Sequence, residues 1–314
     1  MTLPATDGPS IPAPDQRLRG YAEIGIASLI LGTSGALLQM STMPTSLLLV
    51  LRMGLAGMAL GVVFLLTGGP EEVRRSGQIR LLWAIGFVVA VEVLFFFLSI
   101  RLSNVMVGIS LEYMAPVWVA FAAPWVLHTR RERIDMIAVG VALAGMALIV
   151  LPDLSFSGSS DLLAGVACGL VAGMMFALAM ILTKKAGPGI RGSTFTLFHC
   201  IGSVVLLTPL ALWQGVGGSY TLTAADVGIV VVMGLVFTAL CFSLFTDGIR
   251  FVRVEHAGIL GYLEPVTAPI WALLLVSERP PLTTWLGGAL ILVAGVAVIT
   301  LSKNPVEAAP EPAP

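Results

Sequence analysis

The chain has 314 residues and a mass of 32.9 kDa, with 57% hydrophobic residues, only 11% charged residues and a formal net charge of −1. Soluble domains carry about 25% charged residues, so this chain has too little charge to coat a water-facing surface. A mean hydropathy of +0.97 excludes a cytosolic enzyme and a disordered regulator, and the missing basic face excludes a nucleic-acid binder. What remains is an integral membrane protein.

Residues 1–20 are proline-rich and polar and read as a disordered cytoplasmic tail. They lack the basic-then-apolar pattern of a cleaved signal peptide, so the first apolar run is expected to be retained. A spanning helix takes about 20 mostly apolar residues. Ten such segments follow, at 21–41, 45–67, 80–100, 105–127, 134–151, 161–183, 193–213, 225–247, 255–276 and 283–301. Their short connections leave no room for a soluble domain. Residues 302–314 form a second proline-rich tail.

Charge sets the expected orientation. With the N-terminus in the cytoplasm, the cytoplasmic loops hold 14 of the 17 basic residues, the outer loops only Arg101 and Arg279, and Arg52 lies within a segment. Both termini are thus expected in the cytoplasm, in a cell inner (plasma) membrane.

The second half repeats the first. Residues 99–116 (SIRLSNVMVGISLEYMAP) align without gaps on 248–265 (GIRFVRVEHAGILGYLEP), and the identities include Ile, Arg, Val, Tyr and Pro. Downstream, Arg131-Glu132-Arg133 corresponds to Ser277-Glu278-Arg279, and LAGMALI to VAGVAVI. The units run over 21–151 and 161–301, joined by a linker at 152–160. Five helices per unit is an odd number, so the copies are expected to lie in opposite senses, as in transporters whose site sits near the midplane between inverted repeats. The fold class is therefore an all-α integral membrane protein of ten transmembrane helices in two inverted five-helix repeats.

These residues resemble the drug/metabolite transporter superfamily and, within it, the EamA family, over about residues 21–301. The resemblance is carried by Tyr262-Leu263-Glu264-Pro265, Ser277-Glu278-Arg279, the closing run from Leu286 to Gly295 and Arg52 early in the second segment. The first segment departs from it with Leu31-Gly32, and the first repeat has Glu112 displaced in Leu111-Glu112-Tyr113-Met114-Ala115-Pro116. The resemblance implies secondary transport of a small amphiphilic metabolite by alternating access. It favours export over uptake and amino acids as the substrate class. A drug or amine exporter is the rival, and a membrane-embedded receptor or enzyme is the remoter one.

No phosphate-binding loop, zinc motif or catalytic set is present, so no cofactor and no metal are expected. Cys168, Cys200 and Cys241 all sit in apolar runs and imply no disulfide framework. The expected partners are a small-molecule substrate and the lipid bilayer, with a monomer favoured.

Ionisable groups within spans are costly and face a cavity or a partner. Arg52, Glu92 and Glu112 lie at similar depths, about 7 or 8 residues from the outer ends, which makes an Arg52–carboxylate contact feasible. Such a contact reads as a gate, a clamp for a substrate carboxylate, or a structural ion pair. Glu264, near the middle of the ninth segment, shares a face with Thr267, Ala268 and Trp271. It reads as a proton carrier, a partner for a substrate ammonium, or a hydrogen-bonded structural carboxyl.

Tyr113 and Tyr262 each precede a proline by three residues. Pro116 and Pro265 are expected to kink their helices and free the carbonyls of Glu112 and Gly261. His199, beside Cys200, takes the place in the seventh segment that Arg52 has in the second. Gly165, Gly169 and Gly173 on the sixth segment, and Gly54, Gly57 and Gly61 on the second, read as close-packing faces.

Overall fold

A computed structural model of the chain describes residues 13–34, 37, 40, 41, 43–103, 105–128, 132–150, 161–213, 223–276 and 281–301. The 152–160 linker, Ser277-Glu278-Arg279 and the tails at 1–12 and 302–314 lie outside the described residues.

Helix α1 (Pro14–Leu31) starts within the stretch read as a tail. Pro14 supplies a fixed φ suited to a first turn, the Ala13 N–H donates to Gln16 Oε1 (3.0 Å), and Arg19 pairs with Glu23 one turn on (2.7 Å). Then come α2 (Thr45–Leu66), the short amphipathic α3 (Gly69–Ser76) and α4 (Ile79–Leu102). In α3, exposed Glu71 accepts hydrogen bonds from Arg74 and Arg75, which hold its carboxyl below the ordinary range.

The fourth segment is two helices, α5 (Val105–Glu112) and α6 (Ala115–Leu127). After α7 (Arg133–Val150), α8 (Leu162–Ala186) and α9 (Gly192–Trp213), the eighth segment joins α10 (Ala224–Val231), a π-helix (Val232–Cys241) and α11 (Phe242–Phe251). Thr238 Oγ1 donates to the Met233 carbonyl five residues back (2.9 Å), the spacing of a π turn. The ninth segment is again broken, into α12 (Val254–Gly261) and α13 (Leu263–Val276), and α14 (Leu282–Leu301) closes the chain.

Six of these helical stretches are long and apolar enough to cross a membrane: Ser46–Leu66, Ile79–Leu102, Leu162–Ala186, Gly192–Pro209, Ala224–Phe251 and Leu282–Leu301. Large apolar side chains such as Leu66, Trp125, Leu163 and Leu274 stand exposed around the bundle, as a lipid-facing exterior requires.

Helix pairs come in sets that the repeat exchanges. Helix α4 packs on α8, and its counterpart α11 packs on α1; α2 packs on α9 and α7 on α14, each a helix against its own repeat mate. The close contacts repeat too. A Cβ on Gly169 would meet Ser99 Oγ at 2.8 Å, and one on Gly20 would meet the Gly248 carbonyl at 3.0 Å, with both residues of each pair 149 apart from the other's.

The expected small-residue face on α8 is used in full. Gly165, Gly169 and Gly173 face Ser99, Ser103 and Leu111, and Ser99 Oγ donates to the Gly165 carbonyl (2.7 Å). On α2 only Gly57 approaches a neighbour, Cys200, whereas Gly54 and Gly61 have open space where a side chain would be.

Candidate polar site at the broken helices

The two Tyr-x-x-Pro elements do break their helices, but at the tyrosine rather than at the proline. Pro116 sits in the first turn of α6 and Pro265 in the first turn of α13, where a missing N–H leaves no bond unmade. The turns hold Tyr113-Met114 in one case and Tyr262 in the other. Because the chain leaves helical geometry there, the Val117 N–H reaches only the Met114 carbonyl (2.9 Å). The Tyr113 carbonyl is thereby released, and it accepts the Tyr262 hydroxyl. The rings of these two repeat-related tyrosines lie 5.9 Å apart, so the repeats meet where both helices are interrupted. Tyr262→Phe strands a buried carbonyl, and an unsatisfied buried acceptor costs about 1–3 kcal/mol. The variant should melt measurably below the wild type in detergent; an unchanged melting curve would remove this bond from the architecture.

Around this crossing the structure gathers seven of the eight predicted site residues. The carboxyls of Glu92 on α4 and Glu112 at the end of α5 hydrogen-bond each other, and the Tyr113 hydroxyl donates to Glu264 on α13. Arg52 on α2 faces Cys200, Glu92, Glu112 and Glu264 at electrostatic range. His199 on α9, 6% exposed, packs edge-on against Phe242 with ring centroids 5.6 Å apart and also feels the Arg52 charge. Trp271, the eighth, lies two turns further along α13 and is half-buried.

The expected direct Arg52–carboxylate contact is not formed among the described residues. The nearby carboxyls are engaged with each other and with Tyr113, while Arg52 Nε and His199 Nε2 are buried without hydrogen-bond partners. No described group of His, Cys, Asp and Glu is arranged to hold a metal.

A second polar cluster was not read from the sequence. Arg253, in the turn before α12, pairs with Glu132, with Asp135 (2.6 Å) and with Glu255 (3.6 Å). His256 lies 3.6 Å from Asp135 through Nε2 and hydrogen-bonds the Tyr21 hydroxyl through Nδ1 (2.6 Å). Glu132 thus reaches across to the other repeat. Asp247 pairs with Arg250 and accepts from the Gly192 N–H (2.7 Å). Arg191 and Thr194 hold Glu72, and Lys184 donates to the Arg250 carbonyl (2.9 Å). All these residues belong to the end of the bundle that charge distribution assigns to the cytoplasm.

This multi-pass helical bundle, with a polar cluster buried at its broken helices, matches the membrane transporters and not the enzymes. The chain is a member of the EamA-like transporter family of the drug/metabolite transporter superfamily, whose model matches twice, at residues 18–151 and 163–301. It is 31% identical over 201 residues to an uncharacterized transporter of Archaeoglobus fulgidus, covering 64% of this chain and 68% of that one. It is 25% identical over 293 residues to the uncharacterized transporter YxxF of Bacillus subtilis, covering 92% of both. It is also 25% identical over 302 residues to the uncharacterized inner membrane transporter YicL of Salmonella typhimurium, covering 91% and 96%. A solved crystal structure superposes with a TM-score of 0.77 at 17% identity, covering 88% of this chain and 95% of that chain, which shows the shared fold.

Proposed function

We propose that this transporter exports amino acids across the cell inner membrane by alternating access between two inverted five-helix units, 21–151 and 161–301. In this reading α5 and α6 together form one span and α12 and α13 another, which with α1, α7 and the six longer stretches gives ten. Both termini are then cytoplasmic, and the Salmonella relative's printed name supports the inner membrane as the location. Labelling of single cysteines tests the topology: position 156 should react only from outside and position 187 only from the cytoplasm.

The observation that carries the substrate class is the convergence of both charge signs at the broken helices. Arg52 stands opposite Glu92, Glu112 and Glu264 beside two tyrosines, which suits a solute carrying a carboxylate and an ammonium group. Glu264 is assigned to the ammonium, and Glu92, Glu112, Tyr113 and Tyr262 to the walls and gate around it. The excess of carboxyls over guanidinium is what favours the rival reading, a cationic amine exporter.

A flux panel of amino acids and organic amines in proteoliposomes separates the two. Glu264→Gln keeps volume and hydrogen bonding but cannot ionise, so it should fold normally while amino-acid flux, or its pH dependence, changes several-fold. Wild-type flux from pH 5 to 8 in this variant would remove Glu264 from the site. Flux of amines alone would replace the amino-acid reading.

A further inference from the structure

We propose that Arg52 and His199 form a carboxylate-binding subsite that receives the anionic end of the transported solute. This rests on the transport reading above and adds the chemistry of one end of the substrate.

Two nitrogens carry the argument. Arg52 Nε and His199 Nε2 are both buried and without a hydrogen-bond partner, on helices α2 and α9, which pack together. A guanidinium has five N–H donors and keeps its charge. A buried donor left unsatisfied is expensive, and native structures leave few.

The nearest anions do not discharge the debt. Glu92 and Glu112 engage each other, Glu264 accepts from Tyr113, and among the described residues no carboxylate is within ion-pairing distance of Arg52. The site therefore contains a fixed cation whose partner is supplied from outside the chain. With His199 in its Nε2–H tautomer, Arg52 and His199 together offer two unpartnered N–H donors to an incoming carboxylate. Three glutamates nearby repel a second negative charge, which selects a carboxylate over a phosphate dianion.

Purified protein in lipid nanodiscs tests this with three probes of one shape: leucine, 4-methylpentanoate (leucine without its ammonium) and isopentylamine (leucine without its carboxylate). Leucine and 4-methylpentanoate should each raise the wild-type melting temperature in a saturable way. Arg52→Gln should weaken both responses at least about tenfold and leave that of isopentylamine unaltered. His199→Gln, which keeps one donor, should fall between.

Without ligand, Arg52→Gln should melt no lower than the wild type, because no internal partner is lost. A carboxylate response in Arg52→Gln equal to the wild type's overturns the proposal, as does no carboxylate response in the wild type. An Arg52→Gln chain that fails to fold also overturns it, since that marks Arg52 as a structural partner. Carboxylate binding without leucine flux would instead retire the exporter reading and leave the subsite standing.

Discussion

Arg253→Ala should be the most damaging single charge removal in the protein, lowering stability by about 3–5 kcal/mol, the usual cost of leaving a buried ion-pair partner alone. Arg253 is 11% exposed and is the common partner of Glu132, Asp135 and Glu255, which are 13%, 4% and 6% exposed. Burial lowers its pKa, but Glu255, Asp135 and Glu132 more than offset that and raise it overall. Its removal leaves three carboxylates together at the base of α7 and α12.

Chemical denaturation in detergent reads the loss, and cysteines placed nearby should gain reactivity from that end of the bundle. Asp135→Asn added to Arg253→Ala should recover part of the stability, because it removes one stranded charge. Wild-type stability in Arg253→Ala would show that the cluster is solvated and holds nothing closed.

The second large effect is steric. Helices α4 and α9 cross backbone to backbone: a Cβ on Gly86 would stand 2.6 Å from the Phe198 carbonyl oxygen, and one on Gly202 would stand 2.5 Å from the Gly86 carbonyl oxygen. The crossing continues into the Trp83–Phe198 edge contact, at 4.9 Å between centroids. Backbone oxygens cannot rotate aside, so Gly86→Val must separate the helices. The loss should reach or exceed the upper end of the 1–3 kcal/mol or so that core overpacking costs.

Gly54→Ala is the contrast. Nothing lies within 4 Å of its added Cβ, and alanine is the better helix former by about 1 kcal/mol. It should be neutral or stabilising. Thermal unfolding of both variants checks the pair, and equal losses would mean the packing argument has picked the wrong glycine.

Legibility in the sequence followed the range of the signal. Apolar runs located nearly every helix, and the Tyr-x-x-Pro elements marked both interruptions, because these features are local. The polar cluster was foreseen as isolated charges at matched depths, which is why Arg52, Glu92 and Glu112 could be grouped in advance. Their partner choice was not foreseen: the pairing of Glu92 with Glu112, and of Tyr113 with Glu264, depends on how the helices rotate when packed.

The Arg253 cluster was missed for a different reason. Arg253 sits 121 and 118 residues from Glu132 and Asp135, at segment ends where charge reads as simple topology. The usable hint was Asp135, an acid just inside an apolar run, and Glu255-His256, two polar residues opening another. Gly86 and Gly202 belong to no G-x-x-x-G face, and the π-helix Val232–Cys241 is written in ordinary apolar residues, so neither announces itself.

The bond from Tyr262 to the Tyr113 carbonyl points one way between residues that the repeat makes equivalent. In the second half, the Tyr262 carbonyl keeps its helical partner, the Val266 N–H (3.2 Å), where the Tyr113 carbonyl has lost the corresponding one. Tyr113 turns instead to Glu264. Exchanging the roles of the halves, as the proposed alternating access would, reverses the donor and frees the other carbonyl. It would also send Tyr262 in search of the residue matching Glu264, which is Ala115, a side chain with no acceptor. The two arrangements are therefore unequal by one buried hydrogen bond. Under the proposed mechanism, an otherwise balanced two-state machine would acquire a resting preference from a single Glu-for-Ala difference between its halves.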